Sequence, residues 1–337
     1  MNRIVLVGLV VVAVLGGCAP AVPAGSPAGG SSSPEPLTVG LGYIPSVQFA
    51  QFYLADQQGY YRDAGLDVTF QNRIDPELVT LIGQGAVDLG MADGTSVIPA
   101  VSQDIPVRYV ATIYGTFPNV VFARTSSGIA SAADLRGRKV GTPGRFGSGW
   151  IMLQALLQSG GLAPDDIEVE LFPDFGQASA LQQGRVEAAT GFVNNEPVML
   201  ELAGEDVKVL RVDDAVPLPG PGLTTSVDAI SDKPEALRGF VAATLRAMEE
   251  IRADPERGLD AAVAAVPELA ADRTTQRAIL DATIASWSSE QTEGAGYGAI
   301  DRPGWEKSVE FMRGLPDSVL PAELPVDQLV TEELLPR

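Results

Sequence analysis

A handful of short segments carry the residues able to do chemistry, and all of them offer binding groups rather than a reaction centre. Tyr43, Pro45, Gln48 and Phe49, with Tyr53 one helical turn further on, combine flat rings with a hydroxyl and an amide. Asp93 stands before Gly94-Thr95-Ser96, and Tyr114 and Phe117 follow an apolar run that ends at Ile113. In Arg145-Phe146-Gly147-Ser148-Gly149-Trp150, Phe146 and Trp150 can stack, Ser148 can donate, and Gly147 lets backbone approach a ligand. Asn194-Asn195-Glu196-Pro197 sets two amides beside a carboxylate, and Asp174-Phe175-Gly176-Gln177 is a weaker set of the same kind. Rings for stacking and a few directed hydrogen bonds suit a flat heterocycle. Each segment also has a plainer reading. Phe49 and Tyr53 fit the packed face of a helix, Asp93 and Asn195 fit helix N-caps, and Glu196 fits an acid in a first helical turn.

The chain contains no histidine and a single cysteine, Cys18. Ser-His-Asp and Cys-His arrangements are therefore impossible, and a zinc site would have to be built without imidazole or thiolate. The Gly144–Trp150 loop lacks the Gly-Lys-Ser/Thr ending of a phosphate loop. Binding is thus expected rather than catalysis, with no catalytic residue, no cofactor and no metal. Arg145 is the only cation in these segments, and it keeps an anionic sulfonate open as ligand. A net charge of −20 repels phosphate backbones, so nucleic acid is not an expected partner.

The elements that must position these residues alternate in type. The 337 residues exceed one ordinary core, which predicts two lobes. Strands are expected at 37–40, 66–70, 87–92, 107–113 and 120–123, with a helix over Val47–Ala64 and another opened by Asp75-Pro76. A second series follows, with Ser131-Ala132-Ala133-Asp134 at capping-box spacing and strands at 139–142, 167–172, 188–193 and 207–212. After a strand at 223–227, long helices close the chain at 234–253, 255–266, 273–287 and 303–313. Alternating strands and helices predict an α/β fold with open, mostly parallel sheets flanked by helices and a cleft at the strand C-terminal ends. Residues 37–123 plus 214–337 form the first lobe in this reading, and 124–213 the second.

The N-terminus has its own logic. Arg3, an apolar run from Ile4 of about 14 residues and small residues before a cut make 1–17 a secretory signal peptide. Leu15-Gly16-Gly17-Cys18 resembles the lipobox of bacterial lipoproteins, which implies lipidation of Cys18 and a chain anchored at the extracytoplasmic face of the cell membrane. The Pro/Ala/Gly/Ser tract makes 18–36 the lipidated residue and a flexible tether.

Gly42-Tyr43-Ile44-Pro45, Phe49-Ala50, Tyr53-Leu54-Ala55, Gly59-Tyr60-Tyr61 and Gly65-Leu66-Asp67-Val68 resemble a known pattern. So do Gly85-Ala86-Val87-Asp88-Leu89-Gly90, Asp134–Gly141 and Gly191–Pro197. It is that of the substrate-binding lipoproteins of ABC importers of the NMT1/THI5-like (SsuA/THI5-like) family, in the branch that binds thiamine pyrimidine precursors or riboflavin. The resemblance implies a two-lobed periplasmic-binding-protein type II fold, a monomer that closes over a small ligand, and ABC permease and ATPase subunits as partners. A thiamine pyrimidine precursor is the first choice of ligand, riboflavin the second, and an aliphatic sulfonate or nitrate-type anion the third. A periplasmic enzyme or a sensory lipoprotein is the alternative of a different class. The family's fungal branch makes the pyrimidine with a Cys-rich motif, a lysine that holds pyridoxal phosphate and a histidine consumed as substrate. A chain without histidine or a cysteine cluster lacks that equipment.

Overall fold

The computed structural model of the chain describes residues 33–74, 77–213, 215–315 and 318–336. The expected signal peptide, Cys18, the tether as far as residue 32 and the Asp75-Pro76 helix start lie outside the described residues.

Ten strands among these residues build two five-stranded sheets. The first has the order β2-β1-β3-β10-β4, with β1 at Glu35–Leu41, β2 at Leu66–Asn72, β3 at Leu89–Asp93, β4 at Val107–Thr112 and β10 at Pro221–Ser226. The second has the order β7-β6-β8-β5-β9, with β5 at Asn119–Arg124, β6 at Lys139–Thr142, β7 at Glu168–Leu171, β8 at Ala188–Phe192 and β9 at Val207–Arg211. In the first sheet β1 runs parallel to β2 and β3, and β10 lies antiparallel between β3 and β4. The second repeats this plan, with β5 as its antiparallel strand. Each sheet is therefore mixed. Its reversed strand is the one that has just crossed from the other lobe, through residues 113–118 or 212–220.

Packing follows from the residue pattern. β3 is buried along its whole length, as expected of a central strand covered on both faces. A Cβ at Gly40 would lie 2.1 Å from Leu78 Cδ1, and one at Gly90 would lie 2.8 Å from the Gly40 carbonyl, so the two glycines let the helix Glu77–Gly83 settle directly on the sheet. One face of the first sheet packs on the helices Ala50–Gln57, Pro234–Ala253 and Arg273–Trp287, and the other on Gly94–Ser102 and Arg302–Arg313. In the second sheet the helix Gly147–Ser159 covers one face and Gln177–Gln182 with Glu196–Leu202 the other. The fold is two-lobed α/β. Among the described residues no helix is long and apolar enough to cross a membrane.

Several boundaries differ from the sequence reading. The lobe division at 123/124 splits β5, whose residues pair with β8 and β9, so this strand belongs to the second lobe. A short apolar run states that a strand is buried and not which sheet buries it. The single helix expected over 47–64 is three pieces: a 3-10 turn at Val47–Phe49 and helices at Ala50–Gln57 and Tyr60–Asp63. Gly59, at φ 78°, breaks it. β1 starts at Glu35, inside the expected tether, because Glu35 pairs with Leu66. The C-terminal segment, unassigned from sequence, lies along the edge strand β4: Tyr109 N donates to Leu329 O at 2.8 Å and Thr331 N to Tyr109 O at 3.0 Å.

Candidate functional site

The strand ends and following turns of both sheets line one cleft of about 1040 Å³, its open mouth included. From the first sheet come Tyr43, Gln48 and Phe49 after β1, Asp93 at the end of β3, and Tyr114 after β4. The turn after β1 is fixed locally. Asn72 Nδ2 donates to the Tyr43 carbonyl at 2.7 Å, and Ser46 Oγ accepts from Gln48 N at 3.3 Å to cap the 3-10 turn. Burial, and next the charge of Glu196, push the Tyr43 hydroxyl up to about 12, so the phenol stays a neutral donor at physiological pH.

From the second sheet come Phe146, Gly147, Ser148 and Trp150 after β6, with Asn195 and Glu196 after β8. Gly147 takes φ 66°, which lets the chain turn sharply into the helix Gly147–Ser159. Ser148 Oγ accepts from Asn119 Nδ2 at 3.1 Å, leaving its proton available to a ligand. Glu196 folds back against β8. Its Oε2 accepts from Phe192 N at 2.9 Å and its Oε1 from Gln177 Nε2 at 3.4 Å. A Cβ at residue 191 would lie 2.6 Å from that Oε2, so Gly191 makes room for the carboxyl. Burial raises the Glu196 pKa to about 7, against the lowering effect of the backbone hydrogen bonds. Gln177 also donates to the Thr190 carbonyl at 3.1 Å, and its Oε1 is buried without a partner among the described residues.

Three expected site residues stand elsewhere. Pro45 and Tyr53 line a separate depression with Leu41 and Phe70, where Tyr53 meets Phe70 edge to face with centroids 6.3 Å apart. Tyr53 packs within the core of the first lobe, the place the packed-helix reading gives it. Asn194 is fully buried and does not line the cleft. Its Nδ2 donates to Gln48 Oε1 at 3.1 Å, Tyr114 Oη at 3.2 Å and Thr283 Oγ1 at 2.8 Å, three acceptors sharing two hydrogens. All three partners belong to the first lobe, so Asn194 is a strut between the lobes. Arg145 does not line the cleft either: its guanidinium lies 5.0 Å from the centre of the Trp150 ring.

The remaining candidates, Tyr43, Gln48, Phe49, Asp93, Tyr114, Phe146, Gly147, Ser148, Trp150, Asn195 and Glu196, do come together in the cleft wall. Asn195 precedes the helix Glu196–Leu202 without a side-chain capping bond, so its amide is not spent on the helix. Asn119, Thr142 and Thr190 also line the wall and were missed. All three sit on strands, and attention to the last residues of strands as well as to the turns would have found Thr142. Among the described residues that line the cleft there is no Lys or Arg, while Asp93 and Glu196 are both present.

The sequence model described as NMT1/THI5 like matches residues 46–258. The riboflavin-binding protein RibY of Chloroflexus aurantiacus is 32% identical over 99% of this chain and 98% of its own. The 4-amino-5-hydroxymethyl-2-methylpyrimidine phosphate synthase THI13 of Saccharomyces cerevisiae is 28% identical over 66% of this chain and 69% of its own. Among solved structures, the aliphatic sulphonate binding protein SsuA of Escherichia coli superposes with a TM-score of 0.63 at 21% identity, over 74% of this chain and 84% of that one. A ligand-binding component of an ABC-type import system from Staphylococcus aureus gives 0.66 at 13% identity, over 89% and 97%. At these identities the structures establish the fold alone.

Proposed function

The chain belongs to the NMT1/THI5-like family, and from that premise we propose that it is the extracytoplasmic solute-binding protein of an ABC importer, taking a neutral planar heterocycle with a flavin ring preferred. The observation that carries this is the cleft wall: stacking rings, amides and two carboxyl side chains, and no Lys or Arg among its described residues. A sulfonate, a nitrate or a phosphate ester would meet no neutralising charge there. An isoalloxazine instead finds rings for its faces and the unpartnered Gln177 Oε1 as an acceptor for its imide N–H. The pyrimidine precursor remains the second reading, favoured by the Glu196 carboxyl, which can accept from a ring amino group. The likeness to RibY along nearly the whole chain moves the preference toward the flavin.

Mechanism in this proposal is lobe closure. A ligand that touches both walls binds the closed state better than the open one and shifts the population by that difference. Permease and ATPase subunits then receive the loaded protein, and the lipidated Cys18 holds it at the membrane. Catalysis of the synthase kind is not proposed, since the chain has no histidine to consume. The deciding experiment is titration of the full chain, in detergent, with riboflavin, the hydroxymethylpyrimidine and an alkanesulfonate, read by flavin fluorescence and by melting temperature. Submicromolar to micromolar riboflavin binding is expected, unchanged by chelator. Tight sulfonate binding with no response to either heterocycle would overturn the reading. Palmitate labelling of the wild type and its loss in Cys18→Ser tests the anchor.

A further inference from the structure

Two non-glycine residues among those described have positive φ, Asp104 and Phe175, and only Phe175 lines the cleft. Phe172-Pro173-Asp174-Phe175 forms a turn closed by Phe175 N donating to Phe172 O at 2.9 Å, and Phe175 follows it at φ 60°. A left-handed backbone is cheap for glycine and costly for phenylalanine. The adjacent Gly176 has an ordinary φ of −82°, so the glycine stands one place too late to relieve the strain. Asp174 Oδ1 accepts from Gly176 N at 3.3 Å and secures the arrangement. Packing does not account for it, because the Phe175 ring is 37% exposed and belongs to no core cluster. What the ring does touch is Tyr43, edge to face, with centroids 5.4 Å apart and planes at 87°. Tyr43 follows β1 and Phe175 follows β7, so this contact spans the cleft from one lobe to the other. A strained residue that joins none of the core clusters and reaches across a site is held for what it does there.

We propose that Phe175 is the gate of the cleft: with Tyr43 it closes one end over a flat ligand and sets how slowly that ligand leaves. The choice of riboflavin as probe rests on the function proposed above; the gate itself is tested without it. Three variants separate ring from backbone. Phe175→Ala and Phe175→Gly both lose the ring, Phe175→Gly alone relieves the backbone, and Phe175→Tyr keeps a ring. Two readouts are needed. The first is the riboflavin dissociation rate by stopped-flow fluorescence. The second is acrylamide quenching of tryptophan fluorescence in the ligand-free chain. Of the three tryptophans, Trp287 and Trp305 are 0% and 2% exposed, whereas Trp150, 8% exposed, lines the cleft and reports its opening.

Dissociation is expected to be about tenfold faster or more in both ring-less variants and close to wild type in Phe175→Tyr. The quenching constant should rise roughly twofold in the same two variants, as Trp150 becomes accessible. The melting temperature of Phe175→Gly should lie about 2–5 °C above that of Phe175→Ala, since only the backbone distinguishes them. A structural role alone would make affinity follow stability, and the Gly variant breaks that link. Unchanged quenching in both ring-less variants overturns the gate, as does faster release in Phe175→Tyr equal to that in Phe175→Ala. If the wild type binds no riboflavin while the quenching rises as expected, the flavin reading fails and the gate stands.

Discussion

The turn after β1 and the turn after β6 hold equivalent places at the ends of the two sheets, yet they are built in opposite ways. The first is pinned by its neighbours, although Ile44 at its tip is 53% exposed. A Cβ at Gly42 would lie 2.4 Å from the Met91 carbonyl, Gln48 and Phe49 are 5% and 3% exposed, and Asn194 reaches over from the other lobe to hold Gln48. The second carries Gly144, Gly147 and Gly149, leaves Phe146 60% exposed and opens its helix without a side-chain cap. One wall is thus pre-organised, and pre-organised groups lose little entropy when a ligand arrives. The other retains freedom to adjust. Recognition of a shape belongs to the first wall, and adaptation and closure belong to the second.

Breaking the packed wall should produce the largest effect. Asn194→Ala removes the donor shared by Gln48, Tyr114 and Thr283 and leaves buried acceptors without it. We expect unfolding free energy to fall by about 2–4 kcal/mol, measured by urea denaturation. Asn194→Asp should do no better, because it buries a charge and sets it against the Gln48 amide oxygen, which can only accept. Wild-type stability in Asn194→Ala would mean that the first wall stands without its strut.

Glu196 comes next. If its carboxyl accepts from the ligand, Glu196→Gln should weaken binding by about 1.5–3 kcal/mol, one to two decades. Its titration supplies an independent check. The folded pKa of about 7 lies above the ordinary 4.5, so between these values the folded chain keeps a proton that the unfolded chain has released. Stability is therefore greatest at the acid end of that window and declines as pH rises through 7. Relative to Glu196→Gln, the wild type should lose about 1–3 kcal/mol between pH 5 and pH 8. Parallel pH profiles would remove the buried carboxyl from the account.

A phosphate on the ligand sharpens the contrast in another way. With no Lys or Arg among the described residues of the wall and with Asp93 and Glu196 in it, flavin mononucleotide should bind at least about tenfold more weakly than riboflavin. Equal affinities would mean that the ribityl end lies outside the cleft.

Much of this was legible from residues alone, for a physical reason. The strand-turn-helix pattern marks where a chain leaves a sheet, and those exits are where clefts form, so Tyr43, Asp93, Ser148 and Glu196 could be named. What stayed hidden depends on partners distant in sequence. Asn194 and Glu196 are two residues apart and chemically suited to the same task, but one meets Thr283 and Gln48 while the other meets Gly191 and lines the cleft. β5 reads as a strand and takes its lobe from β8 and β9. Phe175 reads as a turn residue, since a backbone angle of 60° leaves no trace in composition.

Arg145 carries the smallest expected effect and the cleanest division between ligand classes. It was the one cation near the second wall, and on sequence grounds it kept a sulfonate in contention. In the structure its guanidinium is exposed and lies 5.0 Å from the centre of the Trp150 ring, and it is not among the residues lining the cleft. An exposed contact of this kind is worth about 0.5–1 kcal/mol, spent on orienting the indole rather than on a ligand charge. Arg145→Ala should therefore change riboflavin affinity by about twofold or less and lower the melting temperature only slightly. The adaptable wall tolerates that loss because neighbouring glycines let the loop resettle. A tenfold or larger loss of affinity, growing weaker as salt is added, would instead mark Arg145 as a charge that swings into the cleft on closure. The ligand would then be an anion, read by the loose wall rather than the packed one, and the assignment of tasks to the two turns would have to be reversed.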